Sequence, residues 1–463
     1  MSLPTTKEIL NFNDIIVALA TPPGKGAIAV IRLSGINVID LVNGVFKGCD
    51  LCKKKTHTIH FGLILDGNTV LDEVLVSIFR APKSFTHEDS VEISCHGSQF
   101  ITKSVIQLLI RKGARMAMPG EFTKRAFLNG RFDLTQAEAV SDLIAANSAI
   151  THDLAIKQMR GGFSSLIKKL RSEVISFASL LELELDFSEE DVKFVNRDNM
   201  NMMLNDLLNY INNLLEGFKL GNVIKTGIPI VITGKPNSGK STLLNTLLNE
   251  EKAIVSSIPG TTRDIIEDKI TIDGIEFRFI DTAGLRSNSI DEIEMIGMSK
   301  TKEYLKKAFS VICLFDLSNE TLDSINDYLK EMEILNTPVI KVGNKVDIAN
   351  HFLVNELKNS DFIFISAFKK QNIDLLKSKL IEYVNKEKIE CLDSVMINSR
   401  HYESLYKCKV SLERTLTNSR NNVYAEFLVQ DVKLTLHHLG TITGEITTND
   451  LLDNLFSKFC IGK

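Results

Sequence analysis

Gly234-Lys235-Pro236-Asn237-Ser238-Gly239-Lys240-Ser241 is a G-x-x-x-x-G-K-S string. An apolar run over 228–233 precedes it and reads as a buried strand; a leucine-rich stretch over 242–248 follows and reads as a helix. Strand, glycine loop and helix in that order are the context in which such a loop cradles phosphate. Backbone N–H groups turn toward the phosphates, and the helix N-terminus adds its positive end. Lys240 suits the β and γ oxygens, and Ser241 suits a hydroxyl position on Mg²⁺. Asn237, Ser238, Gly239 and Thr242 complete the loop's wall. The alternative is an ordinary glycine turn, and the strings that follow argue against it.

Asp281-Thr282-Ala283-Gly284 ends a predicted strand. Asp281 can hold a Mg²⁺-bound water, and the Gly284 N–H can meet a γ-phosphate. Asn344-Lys345-Val346-Asp347 ends another strand. A carboxylate there accepts from both N1–H and the 2-amino group of guanine, donors that adenine lacks in that place. Ser366-Ala367 closes the base pocket. Gly260-Thr261-Thr262-Arg263-Asp264 lies where a first switch belongs, with Thr262 as the second hydroxyl on Mg²⁺. The strings in this order resemble the Ras-like G domain and favour GTP over ATP. One absence stands out: Leu285 occupies the position where Ras-like proteins place a water-orienting glutamine. Glu294 can reach the site through a bridging water, although from spacing alone it reads better as an ordinary helix-start acid. Asn237 offers a carbonyl oxygen to a monovalent cation beside the phosphates, which would do the electrostatic work of an arginine finger.

The chain of 463 residues is long enough for roughly three domains. Its net charge of −4 means that a nucleic-acid partner must use a local basic patch. Lys7 and Glu8 interrupt the N-terminus before an apolar region forms, so no secretory signal is expected. No apolar run approaches the roughly 18 residues a membrane helix needs. Seven scattered cysteines favour a reducing cytosol, and Cys49-x-x-Cys52 reads as two free thiols rather than a zinc or redox site.

Strands are expected over 15–20, 27–32, 71–79 and 90–94, with a helix over 101–111. The first 130 residues thus read as an α+β domain. From Leu134 the pattern turns helical, opened by a capping box at Thr135-x-x-Glu138 and broken at Gly161-Gly162. A helix with apolar positions from Met203 to Phe218 is expected to stop at Gly221. Residues 227–386 alternate strands with helices and include an Asp273-Gly274 hairpin. Beyond 387 the chain is helical again. The expected fold class is therefore multidomain α+β and α/β. An N-terminal α+β domain covers 1–130, and a discontinuous all-α domain covers 131–226 and 387–463. A Ras-like P-loop G domain is inserted between the two helical parts.

With these elements in place, nearly the whole chain resembles the MnmE (TrmE) family of tRNA uridine 5-carboxymethylaminomethyl modification GTPases. Carrying the resemblance are 20–26, Ile31-Arg32-Leu33-Ser34-Gly35, Ser84-Phe85-Thr86 through Glu92, His96-Gly97, 119–130 and the terminal Cys460-Ile461-Gly462-Lys463. The resemblance implies an N-terminal domain that binds 5-formyltetrahydrofolate and holds a homodimer. It further implies a potassium-activated G domain and a flavoprotein partner, MnmG, in a heterotetramer acting on the wobble uridine of certain tRNAs. Folate contacts would be Arg32, Glu92, Arg131 and Lys463; Arg131 departs from the lysine more usual in the family. Potassium ligands would be Asn237, Thr261 and the backbone oxygens of Ser256 and Ile258, with Ser257, Pro259 and Gly260 beside the nucleotide. Glu294 would align the water, against its reading from spacing. A prenylation box at Cys460 fits poorly, and the chemistry of Cys460 stays open. The competing function is a regulatory GTPase switch in ribosome or RNA assembly, which has no use for a folate pocket; a third is an ATPase.

Overall fold

The structure is a computed structural model. It describes residues 14–186, 197–251, 267–281, 305, 308–334, 337–349, 351–358, 360–388, 398–421, 423–460 and 462. The chain divides into two compact units. One comprises Met1–Ala145, Ala155–Ile211 and Arg400–Lys463, the other Ala146–Leu154 and Asn212–Ser399.

The first unit holds a seven-stranded sheet in the order β3-β4-β5-β6-β2-β1-β7. Its strands are β1 (Ile15–Leu19), β2 (Ile28–Ser34), β3 (Phe46–Lys47), β4 (Thr58–Asp66), β5 (Thr69–Phe79), β6 (Ser90–His96) and β7 (Ala114–Met116). Helices α1 (Val38–Asn43) and α2 (Gln99–Arg111) cover one face, where Ile31, Leu33, Val76, Ile93 and Leu109 are buried together. Alternation sends the other residues of each strand to the opposite face. There Ile59, Ser77, Glu92 and Arg32 stand in one row across four strands. β4 carries Ile59 and Phe61 on its exposed face, so its apolar residues do not mark a buried side, and a bulge falls between Ile64 and Leu65.

Helices α3 (Glu121–Leu128), α4 (Leu134–Ala145), α5 (Ala149–Met159), α6 (Gly162–Asp186) and α7 (Arg197–Thr226) follow. The break at Gly161-Gly162 falls where expected, but two helical expectations need correction. The capping box that opens α4 uses Asp133 and Gln136, not Thr135 and Glu138. The Asp133 carboxylate accepts from the Gln136 N–H at 3.1 Å, and the Gln136 side-chain Oε1 accepts from the Asp133 N–H at 3.0 Å. Glu138 is occupied elsewhere, as described below. α7 runs through Gly221 to Thr226 and stops at Gly227, whose φ of +89° suits glycine. Glycine inside a helix costs only about 1 kcal/mol, and Val223, beyond Gly221, packs against the core of the second sheet.

The second unit is a six-stranded sheet, β13-β12-β11-β8-β10-β9. Its strands are β8 (Ile228–Thr233), β9 (Glu267–Ile272), β10 (Ile275–Asp281), β11 (Ser310–Asp316), β12 (Val339–Asn344) and β13 (Phe362–Phe364). All pairings are parallel except β9 with β10, joined by a turn in which Asp273 and Gly274 both have positive φ, as that hairpin requires. β8 and β11 are buried along their whole length. Their residues alternate between two cores, Ile230, Ile232, Ile312 and Leu314 on one side and Val231, Val311 and Phe315 on the other. Helices α8 (Lys240–Glu251), α9 (Leu322–Glu333), α10 (His351–Leu357) and α11 (Ile373–Lys388) belong to this unit. The chain then returns to the first unit through α12 (Ser399–Arg420), α13 (Ala425–Thr443) and α14 (Asn449–Phe456).

Candidate functional site

β8 is the point from which the second sheet is built outward in both directions, with β10 on one side and β11 on the other. In an open α/β sheet, the crevice at the carboxyl ends of the strands beside such a switch point takes the ligand. The G-x-x-x-x-G-K-S loop lies there, between β8 and α8. Gly234 has φ +152°, and a Cβ on it would come within 2.3 Å of the Leu314 carbonyl oxygen. Asn237 is left-handed at φ 63° and exposed. Ser238 is fully buried, and Lys240 donates to the carbonyls of Gly234 and Lys235 at 2.9 and 2.8 Å. Ser241 and Thr242 are exposed in the first turn of α8.

The base strings converge on that loop through Asn344. Its side-chain amide donates to the Ser238 carbonyl at 2.8 Å, and its Oδ1 accepts from the Ala367 N–H at 3.0 Å. Thr246 of α8 also donates to the Ala367 carbonyl, at 2.9 Å. The approach is close enough that a Cβ on Gly239 would lie 2.3 Å from the Asn344 Nδ2. Lys345, left-handed at φ 63°, reaches Asp316 Oδ2 at 2.7 Å. Burial pushes the Asp316 carboxyl up, but hydrogen bonds from Lys345, Ser318 and Asn319 outweigh it and hold the group down at about 2. Asp347 is exposed in the single 3₁₀ turn Val346–Ile348. Ser366 is buried and forms a bridge with Gln371. Asp281 ends β10 as expected. Ser256, Ser257, Ile258, Pro259, Gly260, Thr261, Thr262, Thr282, Ala283, Gly284, Leu285, Glu294 and Lys463 lie outside the described residues.

A second cluster forms in the first unit. Arg32 and Glu92 pair across β2 and β6, with Arg32 Nε and Nη2 at 2.9 and 2.8 Å from Glu92 Oε1. Arg32 Nη1 also donates to the Gly462 carbonyl at 3.3 Å, which brings the chain terminus to this cluster. Gly462 is tightly seated: its φ is +93° and a Cβ on it would meet the Leu19 carbonyl oxygen at 2.5 Å. Arg131 donates to the Ser84 carbonyl at 2.8 Å. The Arg32 and Arg131 guanidiniums both pack on the Phe85 ring, at 5.4 and 5.0 Å from its centre. Burial, and then the charge of Arg32, lower the pKa of Arg131. Phe85 was missed as a site residue; an aromatic side chain inside the polar stretch 82–89 was the available signal. Cys460 is exposed, and its carbonyl accepts from the Gly120 N–H at 3.3 Å.

A cavity of about 530 Å³ is lined by residues 21–26 together with Gly97, Gln99, Lys103 and Met116. Cys49 and Cys52 are free and half-buried; burial and then Asp40 push the Cys52 thiol up to about 11, away from the thiolate a metal or redox role needs. Among the described residues no group of three or more His, Cys, Asp or Glu side chains could hold a metal ion, and no helix is long and apolar enough to cross a membrane.

A glycine loop between β8 and α8, with one asparagine amide tying it to the loop after β13, defines a P-loop domain of the Ras-like type. Residues 15–131 match the family profile described as GTP-binding protein TrmE N-terminus, and residues 134–460 match the MnmE helical domain. The tRNA modification GTPase MnmE of Cytophaga hutchinsonii is 53% identical over 460 residues, covering 99% of this chain and all of that one. The protein of the same name from Flavobacterium psychrophilum is 48% identical over 461 residues, covering 98% of this chain and 100% of its own. That of Bacteroides fragilis is 46% identical over 467 residues, covering 97% of this chain and 99% of its own. The chain belongs to the MnmE family of tRNA modification GTPases.

Proposed function

We propose that this chain is a GTP hydrolase acting in tRNA modification, with a guanine nucleotide held by the P-loop and the Asn344–Asp347 and Ser366–Ala367 strings. The observation that carries this reading is Asn344, whose one amide spans Ser238 and Ala367 and so fixes the distance from phosphate loop to base loop. Ser241, exposed at the start of α8, suits Mg²⁺ together with Thr262. Asn237, left-handed and exposed in the loop, suits K⁺ together with Thr261 and the backbone of Ser256 and Ile258. Bound K⁺ would supply fixed positive charge beside the phosphates. Glu294 aligns the attacking water in this reading.

The first unit serves as the folate site. Arg32 and Arg131 share one ring face-on and hold two like charges together, an arrangement that suits the carboxylates of 5-formyltetrahydrofolate. Ser84 Oγ, buried among them without a partner, adds a polar atom for the ligand. The donor edge of the pterin falls to Glu92, and Lys463 closes the set. The sheet face carrying Arg32 and Glu92 also exposes Ile59 and Phe61, each at 66%, an apolar surface that a second copy in a homodimer would cover. MnmG as partner, a one-carbon unit delivered to C5 of the wobble uridine, a cytoplasmic setting and the three-domain division complete the reading.

Calorimetric titration of the full chain with GDP, ADP and 5-formyltetrahydrofolate tests it. GDP and the folate are expected to bind and ADP is not. Binding of GDP without the folate would favour the regulatory switch, and equal binding of ADP would favour an ATPase.

A further inference from the structure

The turn after β11 makes more contacts than a plain connection requires. Asp316 closes the strand and is 6% exposed. Its carboxylate accepts from the Ser318 N–H at 3.0 Å, the Ser318 hydroxyl at 2.5 Å and the Asn319 amide at 3.0 Å. The same carboxylate holds Lys345 Nζ at 2.7 Å. Its backbone N–H donates to Glu320 Oε1 at 3.1 Å. Glu320 Oε2 accepts from Ser324 Oγ at 3.2 Å and lies 3.4 Å from Lys235 Nζ, which also donates to Ser324 Oγ. A second contact runs alongside: the Thr233 hydroxyl, one residue before the loop, bonds the Tyr328 hydroxyl of α9 at 2.6 Å.

Lys235 is the second residue of the phosphate loop and Lys345 the second residue of the base string. One short turn therefore grips both loops, with a separate carboxylate for each, while contributing to neither string. We propose that the 316–320 turn is a brace that presets the nucleotide pocket, with Asp316 and Glu320 as positioning residues for Lys345 and Lys235. The inference rests on the guanine-nucleotide reading above. Its physical basis is preorganisation. A lysine loses much rotamer freedom when it is ordered, and a partner that orders it in the free protein removes that loss from the binding step. The brace therefore acts on how long the nucleotide stays bound, not on the chemical step.

Release of a fluorescent GDP from the full chain, followed by stopped flow, tests this. Asp316→Asn keeps the size of the side chain and removes its charge; release is expected to quicken about tenfold. Glu320→Gln acts through a half-exposed lysine, so about threefold is expected. Steady-state kcat at saturating GTP stays within about twofold in both, with the change confined to KM. Lys345→Ala combined with Asp316→Asn is expected to release GDP no faster than Lys345→Ala alone, because Asp316 acts through that lysine. Wild-type release rates in Asp316→Asn, or effects of the two substitutions that multiply, would overturn the brace alone. A wild-type chain that binds no guanine nucleotide would overturn the underlying reading and the brace with it.

Discussion

Asp347→Asn is expected to lower affinity for guanine nucleotides at least about a hundredfold and to create affinity for xanthine nucleotides. In the proposed site the carboxylate would accept two hydrogen bonds from guanine, one from N1–H and one from the 2-amino group. An asparagine amide presents a donor to that amino group, so one hydrogen bond becomes a clash of donors. Xanthine carries a carbonyl oxygen at the same ring position and accepts from the new amide. The backbone around Asp347 does not depend on its charge: the residue is exposed in a single 3₁₀ turn. That turn is anchored by the Val346 N–H on the Ile365 carbonyl at 3.1 Å. Competition by GDP and XDP against a fluorescent guanine nucleotide reads the exchange. Unchanged GDP affinity in the variant would remove Asp347 from base recognition.

The second large effect is on stability and concerns Glu138 in α4. This carboxylate is 4% exposed and lies against two charged or titratable side chains. Arg400 clasps it with Nε and Nη2, both at 2.8 Å, and His401 Nε2 lies 2.7 Å from Oε2. Arg400 also donates to the Thr441 and Ile442 carbonyls at 2.6 and 3.0 Å, and Phe163 stacks on His401 at 5.1 Å. Helices α4, α6, α12 and α13 thus meet on one carboxylate. Arg400 is also the residue at which the chain rejoins the first unit. Glu138→Ala leaves a partly buried guanidinium beside a buried imidazole, a loss of about 3 kcal/mol. In a unit of this size that moves the calorimetric transition down by about 10 °C. Glu138→Gln, which keeps two hydrogen-bonding atoms, is expected to fall between the two. An unshifted transition in Glu138→Ala would show that the cluster is not what joins these helices.

The same carboxylate gives the pH dependence its sign. Burial pushes Glu138 up, but the His401 charge and then Arg400 hold it down at about 2, below its ordinary 4.5. The unfolded chain therefore binds the proton first. The contribution of Glu138 is fully present above about pH 4.5 and is lost as the pH falls toward about 2.

Much of the second unit was legible because its physics is local. β8, β11 and β12 are short apolar runs ended by polar or glycine residues, and the phosphate loop is a contiguous string. The hairpin declared itself in Asp273-Gly274. What stayed hidden depended on partners far along the chain. Two overlapping capping patterns begin at Asp133 and at Thr135, and the second fails because Glu138 is drawn to Arg400, 262 residues away. The expected end of α7 at Gly221 failed because packing along the helix outweighs one glycine. Asp316 and Glu320 look like turn residues in the sequence, and their hold on Lys345 and Lys235 becomes visible only once β8, β11 and β12 lie side by side. In the first unit Arg32, Glu92 and Arg131 were singled out by resemblance, and the structure brings them together with Gly462. Phe85 stood in the sequence only as part of the Ser84–Glu92 string, and its packing against both arginines came with the fold.

In the proposed mechanism a cation, not a glutamine, stands beside the phosphates as the guanine nucleotide is cleaved, since Leu285 occupies the glutamine position. The most direct measurement is the rate of GTP hydrolysis by the full chain with Mg²⁺ in matched potassium and sodium chloride. Hydrolysis is expected to be at least about tenfold faster in potassium, a difference that Asn237→Ala abolishes. Equal rates in the two salts would contradict it.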